Sequence, residues 1–222
     1  MTSIIIDAGH GGNDPGATAF NTKEKDWTLK MSLYQYNRLK ELGVPVALTR
    51  SKDETLDANT RAQRVKSKYT YCISNHFNAF NGTARGIETI HSIYADEKFA
   101  QTIAKALHET TKLPLRKSFS RKNNMGSDWY YMHRLTGSTQ TIIIEYGFLD
   151  NRGDYAFYNQ GANFTQAAEA VIKVLCEMVG KSYKEANHKL YRVQVGAFSN
   201  KQNAENIKKK KKKSGYDAYI PN

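Results

Sequence analysis

Between residues 1 and 180, short apolar, β-branched runs alternate with stretches of helical periodicity, and this alternation constrains the fold most. The runs fall at Ile4–Ala8, 44–49, 71–75, 86–93 and 141–146. One helical stretch follows Asp26, a suitable N-cap, and carries Leu29, Leu33 and Tyr36 before Gly43 ends it. Others cover 58–68, the spacing of Phe99, Ile103 and Leu107, and 163–179. Strand–helix–strand succession demands an α/β fold, with a mostly parallel sheet and helices on its faces. Residues 113–140 resist the scheme. They are basic, aromatic and broken by polar clusters, so a long loop holding one short strand is expected.

Composition narrows the class. The 222 residues are 40% hydrophobic, which excludes global disorder. No apolar run approaches the roughly 20 residues of a membrane span, so no membrane insertion is expected. The chain enters Ile4-Ile5-Ile6 without a basic, then apolar, leader, and the expectation is cytoplasmic synthesis without a signal peptide. Cys72 and Cys176 sit in apolar surroundings and read as small buried hydrophobes of a chain made in a reducing compartment. Of the net charge of +12, residues 181–222 hold eleven basic and three acidic residues, a net +8. The basicity therefore belongs to the tail and marks either a solvated face or attraction to polyanions.

In a parallel sheet, the segments that follow each strand gather at one edge, where open α/β folds place their ligands. His10 follows the first strand, His76 sits at the end of the strand at 71–75, and Glu145 at the end of the TIIIE run at 141–145. Glu24 precedes the first helix and faces the same edge. Two imidazoles and two carboxylates thus converge. Catalytic zinc takes three such ligands and leaves a position open to water, so two His and one Glu would complete the set. The second Glu would then act as base. Each His alone could equally be a satisfied polar residue. A dinucleotide reading of GHGGNDPG is weak, because Asp14 occupies the third glycine position and the helix begins too late.

The ordered motifs IIIDAGHGGNDPGA, KEKD, TRSKDETL with Arg61, ISNHFNA, GIET and IIIEYGFLDN resemble those of the zinc-dependent N-acetylmuramoyl-L-alanine amidases of bacterial cell-wall lysis. The resemblance covers about residues 1–180. It implies a twisted, mostly parallel six-stranded sheet with helices on both faces, one more strand than the runs above provide. It also implies zinc as cofactor, His10, Glu24 and His76 as its ligands, and Glu145 as the catalytic glutamate. The implied reaction cleaves the amide between N-acetylmuramic acid and the L-alanine of the peptidoglycan stem. The implied setting is endolysin-like: the protein acts on the host wall after membrane permeabilisation, with a mother-cell lysin as the alternative. Three residues stand apart from the pattern. His91 either lines the cleft or is structural, Asn75 should point away from the neighbouring His76, and Arg61 reads as a helix-surface or ion-pair residue.

After a polar linker at 181–189, residues 190–222 resemble the first half of a sporulation-related (SPOR) repeat, a peptidoglycan-binding module, and read as strand, helix, strand. In that helix Ala204, Ile207, Lys208 and Lys211 form the stripe that should face the strands. The six lysines at 208–213 suit anionic wall polymers. The rival readings are a zinc peptidase acting on stem peptides and a non-catalytic wall-binding or nucleic-acid-binding protein. The last of these lacks a fold motif and has a near-neutral main domain, so no nucleic acid is expected. The cluster Arg116, Lys117, Arg121 and Lys122 could pair with stem-peptide carboxylates or form a solvated face. Oligomeric state is not legible.

Overall fold

The structure, a computed structural model, describes residues 3–186, 194–214, 218 and 220. The chain begins with β1 (Ile4–Ala8), a small hairpin of β2 (Thr18–Ala19) and β3 (Thr22–Lys23), α1 (Glu24–Glu41) and β4 (Val46–Leu48). It continues through α2 (Ala58–Val65), β5 (Tyr71–Asn78), β6 (Ile87–Ile90), α3 (Lys98–Thr111) and β7 (Leu115–Phe119). Then follow α4 (Tyr131–Arg134), β8 (Gln140–Phe148), α5 (Arg152–Tyr158) and α6 (Gly161–Met178). A separate unit from Ala186 onward contains α7 (Lys201–Lys213).

Six strands form one sheet in the order β4-β1-β5-β8-β6-β7. All neighbours are parallel except β6 against β8. Successive strand residues face opposite sides, and the isoleucine runs use both. Ile4, Ile6, Ile73, Ile142 and Ile144 enter the large core with α1, α3 and α6. Ile5, Cys72, Ile90 and Ile143 enter a smaller one with Val65 of α2 and Met132 of α4. Helices therefore cover both faces, but the second face only in part. The sixth strand is β7, the short strand expected within 113–140. Its solvent-facing sequence LRKSF has no apolar alternation to mark it.

Two elements differ from their sequence reading. Lys23, not Asp26, is the N-cap of α1, and Asp26 lies in the first turn beside Glu24, where carboxylates favour the helix dipole. The buried stripe of α1 is not Leu29, Leu33 and Tyr36 but includes Thr28, Ser32 and Gln35. The Thr28 and Ser32 hydroxyls donate to the Gly9 and Asp7 carbonyls, and Asn75 donates to Ser32 Oγ and Gln35 Oε1. This face meets backbone that would otherwise be buried unpaired, which favours polar side chains there.

In the second unit, Asn200 caps α7 by accepting from the Gln202 and Asn203 amides. Ala204, Ile207, Lys208 and Lys211 are half-buried, on the stripe expected for them. The first expected tail strand is described only at 194–198, which is irregular, and the second lies mostly outside the described residues.

Candidate metal centre and active site

The site stands on the thinly covered face of the sheet. His76 lies inside β5 and Glu145 inside β8 rather than at their ends, because the two strands continue pairing to Asn78 and Phe148, beyond the end of β1. His76 and Glu145 are Cα partners and share a face. His10 follows β1 with a positive φ of 59°, an uncommon conformation for a non-glycine residue. Two arginines hold that turn. Buried Arg50 donates to the Ala8 and Gly9 carbonyls, and buried Arg61 to the Ala8 and His10 carbonyls.

Glu24 Oε2 lies 3.0 Å from His10 Nε2, and Glu24 Oε1 lies 3.0 Å from His76 Nδ1. One ligand atom from each of the three residues falls within 4.8 Å of the others. The backbone amides of Ala17 and Phe77 also donate to the Glu24 carboxylate and fix its plane. Burial alone would raise the Glu24 pKa, but hydrogen bonds from both imidazoles and their charge hold it far below the usual range. His10 is the converse. Burial disfavours its charge, yet Glu24 and Asp14 outweigh that and raise its pKa.

The remaining nitrogen of His10, Nδ1, is 2.8 Å from Asp14 Oδ2. A metal-ligating histidine commonly keeps such a carboxylate on its other nitrogen. Two glycines leave room for this cluster. A Cβ on Gly9 would come within 2.3 Å of the His76 ring, and one on Gly16 within 2.5 Å of Glu24 Oε2. Two imidazoles and one carboxylate, with ligand atoms converging, fit zinc.

These side chains open into a cavity of about 380 Å³, lined also by Tyr130, Tyr131 and Glu145. Glu145 Oε2 is buried in it without a hydrogen-bond partner among the described residues. Burial, then the carboxylates of Glu24 and Glu88, push the Glu145 pKa well above its usual value. Both causes favour the protonated carboxyl over the carboxylate.

The sequence profile described as N-acetylmuramoyl-L-alanine amidase matches residues 4–177. The chain belongs to the N-acetylmuramoyl-L-alanine amidase family. A SPOR domain profile matches 187–222. The N-acetylmuramoyl-L-alanine amidase CwlM of Bacillus licheniformis is 30% identical, over 99% of this chain and 85% of its own length. The endolysin of Bacillus phage SPP1 is 28% identical over 83% of this chain and 69% of its own. The solved catalytic domain of CwlV, an N-acetylmuramoyl-L-alanine amidase of Bacillus (Paenibacillus) polymyxa, is 26% identical. It superposes with a TM-score of 0.72, covering 82% of this chain and all of that one. Cwp6 of Clostridium difficile superposes at 0.75 with 27% identity over 80% of this chain, which spans 29% of that longer chain. The protein is a peptidoglycan hydrolase that cleaves the amide between N-acetylmuramic acid and L-alanine.

The other residues singled out from sequence find structural roles. Asn75 points away from His76, donating to Ser32 and Gln35 and accepting from the Tyr146 hydroxyl. His91 is buried, with Nδ1 2.9 Å from the Ser92 carbonyl oxygen, and does not line the cavity. Arg61 is an ion-pair residue but not a surface one: its guanidinium lies 2.7 Å from buried Asp7. Sequence reasoning missed the roles of Asp7 and Arg50. Their only trace is position, Asp7 one residue before the end of β1 and Arg50 two residues after β4.

Proposed function

We propose that His10, Glu24 and His76 hold one zinc ion and that Glu145 is the proton-transferring residue of the amide hydrolysis. The observation that carries this is the pair of imidazoles joined through one low-pKa carboxylate, beside a buried carboxylate oxygen with no hydrogen-bond partner among the described residues. Zinc bound there supplies Lewis acidity at the scissile carbonyl and lowers the pKa of the attacking water. Glu145 accepts the water proton as attack proceeds, holds it at the buried Oε2, and donates it to the departing L-alanine amine. Its raised proton affinity suits the holding step. Mass analysis of digested peptidoglycan tests the reaction. Free lactyl ends and free L-alanine amines are expected, whereas cleavage within the stem, with L-alanine still on the sugar, would make it a peptidase.

Residues 1–180 carry the catalysis in this proposal. Residues 190–222, beyond the 181–189 link, resemble half of a SPOR repeat and hold the enzyme on the wall through charge more than through glycan recognition. The lysine run adds attraction to anionic wall polymers. The setting is lysis of a host wall by a protein made in the cytoplasm, supported by likeness to the phage endolysin. A second setting, mother-cell lysis, has support from the sporulation-specific N-acetylmuramoyl-L-alanine amidase of Bacillus subtilis, 27% identical over 99% of this chain. In either setting, cells making the protein internally should stay intact until the membrane is permeabilised. Lysis without permeabilisation would contradict this.

A further inference from the structure

The sheet register lines up four side chains in one row. His76 pairs with Glu145, Glu145 with Glu88, and Glu88 with Lys117, across β5, β8, β6 and β7. Paired residues share a face, so the row runs from the metal centre to a cation at the sheet edge. Strands lie about 4.8 Å apart, which puts Lys117 roughly 14 Å from His76 at the Cα level. An extended peptide covers that distance in about four residues, and fewer once the length of the lysine side chain is counted.

A second cavity, of about 580 Å³, occupies the far end of the row and shares Asn78, Ala79 and Tyr130 with the first. Its cations are Arg116, Lys117 and Arg121, and its one carboxylate is Glu88. That carboxylate is already engaged, by Arg116 Nε at 2.9 Å and by Asn78 Nδ2 at 3.0 Å. Lys117 Nζ stands farther off, 3.8 Å from Glu88, with half of its side chain exposed. Arg121 has no acidic partner within 4 Å among the described residues and stacks on the Trp129 ring at 3.9 Å. Lys122 lies outside this cavity, bridging to Asp128 by backbone. The groove thus presents more positive charge than its own carboxylate balances, and it is continuous with the reaction cavity.

We infer that this groove is the stem-peptide subsite, in which Lys117 and Arg121 receive a free carboxylate carried two to four residues beyond the scissile amide. The inference rests on the catalytic reading above, since the row is measured from that centre. It orients the substrate, with the peptide toward β6 and β7. A cationic groove with engaged acid at its floor discriminates acidic from amidated stems, because an amide brings no charge to it.

The stem peptide lacks the muramyl amide that an amidase cleaves, so its binding to the wild-type enzyme can be measured by calorimetry, and mass analysis of the ligand afterwards shows whether a peptidase has cut it. The expected result is at least about tenfold tighter binding of the free-acid peptide than of its carboxamide counterpart at low salt. That preference should vanish in the Lys117→Ala/Arg121→Ala variant. With a soluble muramyl peptide the same variant should raise KM about tenfold and leave kcat within about twofold. Lys117→Arg should restore most of the difference. Equal binding of acid and amide by wild type would overturn the inference, as would a preference that survives in the double variant. Products lacking free lactyl ends would instead sink the catalytic reading, leaving the peptide preference to judge the groove on its own.

Discussion

One guanidinium, that of Arg61, both neutralises a buried carboxylate and holds the backbone of a ligand. It lies 2.7 Å from Asp7 Oδ1 and donates to the His10 carbonyl at 2.6 Å. Burial of Asp7 works against its charge, but Arg61 and the Ser74 and Thr49 hydroxyls win and lower its pKa. Arg61→Met should therefore leave a charged acid unpaired and cost about 3–5 kcal/mol in urea unfolding. A loss below about 1 kcal/mol would mean the pair is dispensable. Glu145→Gln should act differently, keeping the fold but lowering turnover by about two to four orders of magnitude. Near-normal turnover would remove Glu145 from the mechanism. The two residues also differ in how legible they were. Both stand in motifs that resemble a known family's, but the partner of Arg61, buried Asp7, is met only where α2 reaches the end of β1, a contact that no local pattern encodes.

Among the elements, the central strands were the most legible. Their isoleucines alternate between two cores, and both faces demand apolar residues. Strand direction was not legible, because β6 runs antiparallel to β8 yet is as buried as the parallel strands β1 and β5. The polar face of α1 escaped, and the short strand expected within 113–140 could not be placed at β7, for a related reason: each meets backbone or solvent instead of a core. The short helix α4 carries a testable consequence. Its His133 is 8% exposed, and neither ring nitrogen has a properly oriented partner among the described residues. Burial outweighs the nearby Asp128 charge and pushes its pKa down to about 4. The folded protein thus keeps His133 neutral, while the unfolded chain protonates it below about 6.5. Stability from this group is full above that pH and is lost as the pH falls towards 4, by on the order of 3 kcal/mol. Urea titrations at pH 7 and pH 4.5 should show a smaller difference for His133→Leu than for wild type. An unchanged difference would contradict the buried neutral imidazole.

For the whole molecule, the boundary between the units matters to any truncation. Residues 181–185 belong to the first unit: Tyr183 donates to Glu169 at 2.9 Å, and Arg38 donates to the Lys184 carbonyl at 2.7 Å. A chain ending at Glu185 should fold and cleave. One ending at Gly180 should lose about 1–3 kcal/mol with those bonds. Whole-cell lysis by the Glu185-ended chain should trail the full chain at low salt and match it near 0.5 M, where the Debye length is only about 4 Å. A deficit that persists at high salt would make the tail a specific glycan reader. The metal centre is tested most directly by zinc content, measured on purified wild type and four single variants. About one zinc per chain is expected in wild type and in Glu145→Gln, and close to none in His10→Ala, Glu24→Ala and His76→Ala. Full zinc in any of those three, or its loss in Glu145→Gln, would contradict the division between residues that hold the metal and the residue that moves the proton.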